Sequence, residues 1–106
     1  MSRDREIDRE KLLRALQERP KFELGQIVAT PNANEIVSRD EMKTALARHQ
    51  RGDWGDLDED DRDANNHALE FGLRLLSAYT TEKGNKFWII TEADRSVTTV
   101  LLPEDY

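Results

Sequence analysis

Two clusters in this chain have residue types and spacing suited to chemistry. In Arg48-His49-Gln50-Arg51-Gly52-Asp53-Trp54-Gly55 a histidine lies near a carboxylate, a pairing that moves protons in acid/base catalysis. The tryptophan between two glycines offers a flat apolar plate with a single donor, and the glycines allow a ligand to approach the backbone. The second cluster is Thr91-Glu92-Ala93-Asp94-Arg95-Ser96, followed by Thr98 and Thr99. There a planar guanidinium fork, two carboxylates and several hydroxyls fall at a strand terminus, a combination able to hold a carboxylate or phosphate. Each cluster also has a plainer reading. Trp54 can plug a core under a helix connection while His49 completes the apolar edge of its helix, and Asp94 and Arg95 can pair with each other or with helix ends.

A third feature is charge. The formal net charge is −6, unevenly spread. Residues 1–22 hold seven basic and five acidic side chains, so residues 23–106 carry −8. Within Asp53–Asp63, the seven acids Asp53, Asp56, Asp58, Glu59, Asp60, Asp61 and Asp63 surround a single Arg62. A body this acidic repels phosphate backbones, which disfavours direct nucleic-acid binding and points toward a basic protein surface. The run is not a calcium loop. With Asp56, Asp58 and Asp60 at its first three ligand positions, Asp61 falls where the sharp turn needs glycine and His67 where the bidentate glutamate belongs. No metal site and no cofactor motif is read from the chain; Walker loops, nucleophile elbows and paired-histidine motifs are all missing.

The elements that must position these residues follow from periodicity. Asp4–Glu18 reads as a mixed-charge helix with a thin stripe of Ile7, Leu12, Leu13 and Leu16, ended by Pro20. Leu24–Thr30 reads as a short strand closed by Pro31, and Asn32–Val37 as a loop. Ser38 and Glu41 form a capping box opening a helix whose face is Met42, Ala45, Leu46 and His49. A second helix is expected from Asp58 to Phe71, its acids at the positive end of the dipole and Gly72 beyond its end, with Ala64, Ala68, Phe71 and Leu75 turned inward. Strands at 73–81, 86–92 and 97–102 alternate apolar residues across two tight turns, and Pro103 stops the last. The expected fold is α+β, a three- or four-stranded antiparallel sheet packed by two helices, with a charged N-terminal helical extension (1–21) ahead of a single domain (22–106). Phe71, Leu75, Tyr79, Phe87, Trp88, Ile89, Ile90, Val100 and Leu102 should dominate its core.

At 106 residues the chain suits one domain with a single modest core. The absence of cysteine excludes disulfides and thiol chemistry. No apolar run approaches the roughly 20 residues of a membrane span, and the charged start is unlike a signal peptide, so a cytoplasmic protein without membrane contact is expected.

The stretches Leu24-Gly25-Gln26-Ile27-Val28-Ala29-Thr30-Pro31, Arg48-His49 through Gly52-Asp53-Trp54-Gly55, Leu75-Leu76-Ser77-Ala78-Tyr79, Trp88-Ile89-Ile90-Thr91-Glu92-Ala93-Asp94-Arg95-Ser96 with Thr98-Thr99, and Leu102-Pro103-Glu104-Asp105-Tyr106 resemble a family of small bacterial proteins described as plasmid-related and sometimes as restriction-modification subunits. The resemblance runs from Phe22 to Tyr106 and implies a home in bacteria or their mobile elements. It implies no particular reaction, and residues 1–21 lie outside it.

Three functional classes follow. The first is a non-enzymatic acidic accessory protein that helps a mobile element meet host defence, with Asp53, Trp54, Asp58, Asp60, Asp61, Glu92, Asp94 and Arg95 as candidate binding residues. The second is a small metal-independent, toxin-like ribonuclease with His49 as general acid/base, Arg95 as phosphate clamp, and Thr98 or Thr99 as orienting hydroxyl. The third is a small-ligand binder built on Trp54 and the Thr91–Arg95 turn. Open sheet edges also invite pairing with a second copy, making a homodimer an expected state.

Overall fold

A computed structural model describes residues 9–17 and 19–106. The elements are α1 (Arg9–Gln17), β1 (Gln26–Ala29), α2 (Pro31–Ile36), α3 (Arg39–Gln50), α4 (Glu59–Phe71), β2 (Leu75–Thr80), β3 (Lys86–Thr91), β4 (Val97–Leu101) and a closing 3-10 turn, Pro103–Asp105. The start of the expected first helix, including Ile7, lies outside the described residues. The fold is α+β with a four-stranded sheet in the order β1-β4-β3-β2. β2–β3 and β3–β4 are antiparallel, but β1 runs parallel to β4. Alternation identifies a strand without giving its direction. Here the chain leaves β1 through three helices and a hairpin before β4 returns beside it.

One face of the sheet carries Leu75, Ser77, Tyr79, Phe87, Ile89, Thr91, Thr98 and Val100, all buried. Its main core joins Tyr79, Phe87, Ile89, Val100 and Leu102 to Ala33, Val37 and Ala45, with Met42 and Leu46 packed alongside. Burying a side chain such as Phe87 or Ile89 contributes about 1.5–3 kcal/mol. The segment expected as a loop at 32–37 is instead mostly α2. Thr30 caps it by accepting from the Ala33 amide at 3.1 Å, and Pro31 opens it with a φ already suited to a helix. The Asp105 carboxylate ties the chain end to this start, accepting from Thr30 Oγ1 (2.6 Å), Asn32 Nδ2 (2.8 Å) and the Leu102 amide (3.0 Å). Those donors hold its pKa below the usual carboxylate value, the Thr30 hydroxyl most of all.

α3 follows its expected face: Ala45 and His49 are buried, Met42 and Leu46 half-buried. α4 differs from its expected face. Ala64 is exposed, and Phe71 is 61% exposed, set against the His67 ring at 4.5 Å rather than in the core. Ala68 and Leu75 are buried as expected, but Asn65 and half-buried Leu69 turn inward in place of Ala64 and Phe71. The cause is Asn65, whose Oδ1 accepts from the Leu76 amide at 3.1 Å while its Nδ2 donates to the Leu76 carbonyl. The side chain thereby completes the outer edge of β2 as a neighbouring strand would. Just beyond, the Ala78 amide donates to the Trp54 carbonyl (3.2 Å) and the Ala78 carbonyl accepts from the Asp56 amide (2.7 Å). Asn65→Ala should cost about 2 kcal/mol by leaving both Leu76 backbone groups short of partners, measured as a loss of urea midpoint.

Trp88 also departs from expectation. It lies half-buried on the opposite sheet face, edge-on to Tyr106 with ring centroids 5.7 Å apart. A second, smaller cluster of Trp54, Ala68 and Leu75 takes Phe22, Leu57 and Leu69 against it. No helix among the described residues is long and apolar enough to cross a membrane.

Candidate functional site

Of the residues nominated for catalysis, His49 and Thr98 are sealed inside the protein, while Arg95 is half-buried. α3 delivers His49, fully buried, onto the sheet, where Nδ1 lies 2.5 Å from Ser77 Oγ on β2 and Nε2 lies 2.9 Å from Thr91 Oγ1 on β3. Thr91 Oγ1 is 2.7 Å from Thr98 Oγ1 on β4, and the Thr98 hydroxyl donates to the Leu24 carbonyl at 2.7 Å. The last bond sets the direction of all the others, because a carbonyl can only accept. Thr98 gives its proton to Leu24, so Thr91 donates to Thr98, the His49 Nε2–H donates to Thr91, and Ser77 donates to Nδ1. His49 is therefore the neutral Nε2–H tautomer. Burial, supplemented by the positive charge of Arg95, lowers its pKa to about 4.

In this arrangement His49 is a structural link between α3 and the sheet, with no nitrogen left free for a substrate proton. A general base must reach a substrate proton, but both ring nitrogens are already satisfied and the ring is closed off from solvent. Phe22 closes the remaining side, its ring edge-on to His49 at 5.2 Å while the Arg95 guanidinium lies 5.5 Å from its centroid. Arg95 adopts φ 61° and donates to the carbonyls of Leu73 (2.6 Å), Glu92 (3.1 Å) and Ala68 (3.4 Å). It thereby satisfies carbonyls at the end of α4, where cationic donors are favoured.

The second cluster is likewise occupied by its own neighbours. Glu92 pairs with Arg74 at 3.5 Å, and Asp94 Oδ1 accepts from the Ser96 hydroxyl (2.6 Å) and amide (3.0 Å), which lowers its pKa. In the tryptophan loop, Trp54 is buried and its Nε1 donates to Asn66 Oδ1 at 2.9 Å, so no ring face is open to a ligand. Asp53 receives two hydrogen bonds from Arg48, at 2.7 and 3.2 Å, and the Arg48 guanidinium lies 4.8 Å from the Tyr79 ring centroid. Arg48 lowers the Asp53 pKa, and the phenol of Tyr79 is raised by burial while donating to the Asp53 carbonyl at 2.6 Å.

The acid run behaves differently past Asp53. Asp56 accepts from Thr80 Oγ1 (2.8 Å), and Asp58 caps α4 by accepting from the Asp61 amide (2.8 Å). Glu59, Asp60, Asp61 and Asp63 are exposed, and among the described residues no ion pair involves any acid from Asp56 to Asp63. Arg62, the one base in the run, donates to the Leu57 carbonyl instead. Beside these acids is a recess lined by Leu57, Asp61, Ala64, Asn65, Leu76 and Trp88. Of the nominated binding residues, Asp58, Asp60 and Asp61 are exposed and in no ion pair among the described residues; Asp53 and Asp94 are exposed but bonded to Arg48 and Ser96, Glu92 and Arg95 are half-buried with partners of their own, and Trp54 is buried.

Sequence reasoning missed Ser77 and Asn65, and it named Arg48 and Thr91 only as members of their clusters, without the partners they take up here. Ser77 and Thr91 carried a signal, being hydroxyl residues at positions whose strand neighbours two away are apolar, where a buried polar partner must exist. No group of three or more His, Asp or Glu side chains among the described residues is placed to hold a metal ion. Compared with protein-family models, with curated proteins and with solved structures, the chain gave no match.

Proposed function

We propose that this protein is a non-enzymatic acidic interaction module, carried by a mobile element, that counteracts host defence by docking on a basic protein surface. The supporting observation is the set of exposed carboxylates from Asp58 to Asp63 at the start of α4, which form no ion pair among the described residues, next to an apolar recess. Exposed carboxylates contribute little affinity one at a time, about 0–1 kcal/mol each. Their shared sign steers a basic partner and excludes acidic ones, while Leu57, Leu76 and Trp88 offer a place to bury an apolar anchor.

The test is affinity capture from a bacterial lysate, comparing wild type with Asp58→Lys/Asp60→Lys/Asp61→Lys, both checked for native circular dichroism. Proteins of basic isoelectric point retained by the wild type should fall at least tenfold with the triple variant, and wild-type capture should weaken as salt rises. Equal capture of the same proteins by both would remove this reading.

A further inference from the structure

The two edges of the sheet are treated unequally. The β2 edge is closed by Asn65 and by the Trp54–Asp56 loop. At the other edge, β1 is exposed along its length, with Ile27 49% and Val28 36% accessible. The amides of Gln26 and Thr30 donate to the Ser96 and Val100 carbonyls of the β4 strand region. Backbone groups alternate sides along a strand, so Gln26, Val28 and Thr30 face β4, and the N–H and C=O of Ile27 and Ala29 point outward. Edges of monomeric proteins are protected by charged side chains, bulges, prolines or very short strands. Here β1 is short, but every residue from Leu24 to Asn34 is uncharged in a chain that is 36% charged, and the only proline in that stretch falls after the strand.

From this geometry we infer that β1 pairs antiparallel with β1 of a second copy about a two-fold axis through Val28, joining the two sheets into one of eight strands. The pattern is self-complementary. Ile27 faces the partner's Ala29 as a hydrogen-bonded pair that exchanges both bonds, and the two-fold repeats this, so all four outward groups of each β1 find partners. Val28 meets its own copy at a non-hydrogen-bonded position, with Cα atoms about 4.5 Å apart. No charge is buried at the seam, although two bodies of net charge −6 approach each other. Screening that repulsion makes the dimer tighten with salt, opposite to the basic-partner complex proposed above.

Because the chain has no cysteine, single replacements report the register directly. Under mild oxidation Val28→Cys should form a covalent dimer at least tenfold faster than Lys83→Cys, which sits in the exposed β2–β3 turn. Ile27→Cys alone should be slow, since its own copy lies diagonally across the seam, and mixing it with Ala29→Cys should restore fast linkage. In sedimentation of the full chain, Ala29→Pro removes an outward donor without a bond to β4 and should weaken association at least tenfold. Should Val28→Cys cross-link no faster than Lys83→Cys, or wild type remain a monomer at about millimolar concentration in high salt, the inference is overturned. An Ile27→Cys that links as fast as Val28→Cys would overturn the register.

Discussion

His49→Ala is expected to lower stability by about 4 kcal/mol, a large share of the 5–15 kcal/mol typical of a domain. The change removes a fully buried ring that no small residue can replace, and it strands Ser77 and Thr91, each left with a missing partner on the sheet. His49→Gln, with one donor and one acceptor, should recover part of the loss. The same residue predicts an acid dependence. Its pKa is lowered to about 4 from 6.5, so between those values the unfolded chain binds a proton that the folded one does not. Stability is therefore full above about pH 6.5 and declines as pH falls toward 4, by about 3 kcal/mol from this group at 1.36 kcal/mol per pKa unit. Urea midpoints measured between pH 7.5 and 4.5 should show this slope in the wild type and lack it in His49→Gln. A parallel slope in both would assign the acid loss to other groups.

Gly55→Ala should be at least as damaging, costing more than about 4 kcal/mol and abolishing cooperative folding at ordinary temperature. Gly55 has φ +76°, and a Cβ there would stand 1.9 Å from the Ala78 carbonyl oxygen and 2.7 Å from Tyr79 Cδ1. That carbonyl belongs to the bridge by which the tryptophan loop closes the β2 edge, so the clash cannot be relieved by turning a flexible side chain. Gly84 in the β2–β3 turn is the control. Its φ is +89°, but nothing lies within 4 Å of the position a Cβ would take, so Gly84→Ala should cost only about 1–2 kcal/mol of backbone strain. Thermal unfolding of the two variants separates steric from conformational cost, and a Gly55→Ala that melts like Gly84→Ala would contradict the packing described.

Much of this architecture is written locally. The hairpins, the α3 face of Met42, Ala45, Leu46 and His49, the Ser38 cap and the acidic start of α4 all follow from spacing and turn chemistry that act within a few residues. Net charge belongs with them, since it depends on composition alone. What spacing could not convey was anything requiring two distant segments to meet. The parallel pairing of β1 depends on where β4 comes to rest about 70 residues later, and the inward turn of Asn65 depends on the open edge of β2 that its amide completes. Phe71 was left outside the core where Asn65 and Leu69 turned inward, and His49 became a sealed link in a hydrogen-bonded chain once Ser77, Thr91 and Thr98 arrived from three different strands. Residue type announced a histidine able to move protons; burial and the fixed direction of its partners, which exist only in the folded chain, decided that it holds the sheet together instead.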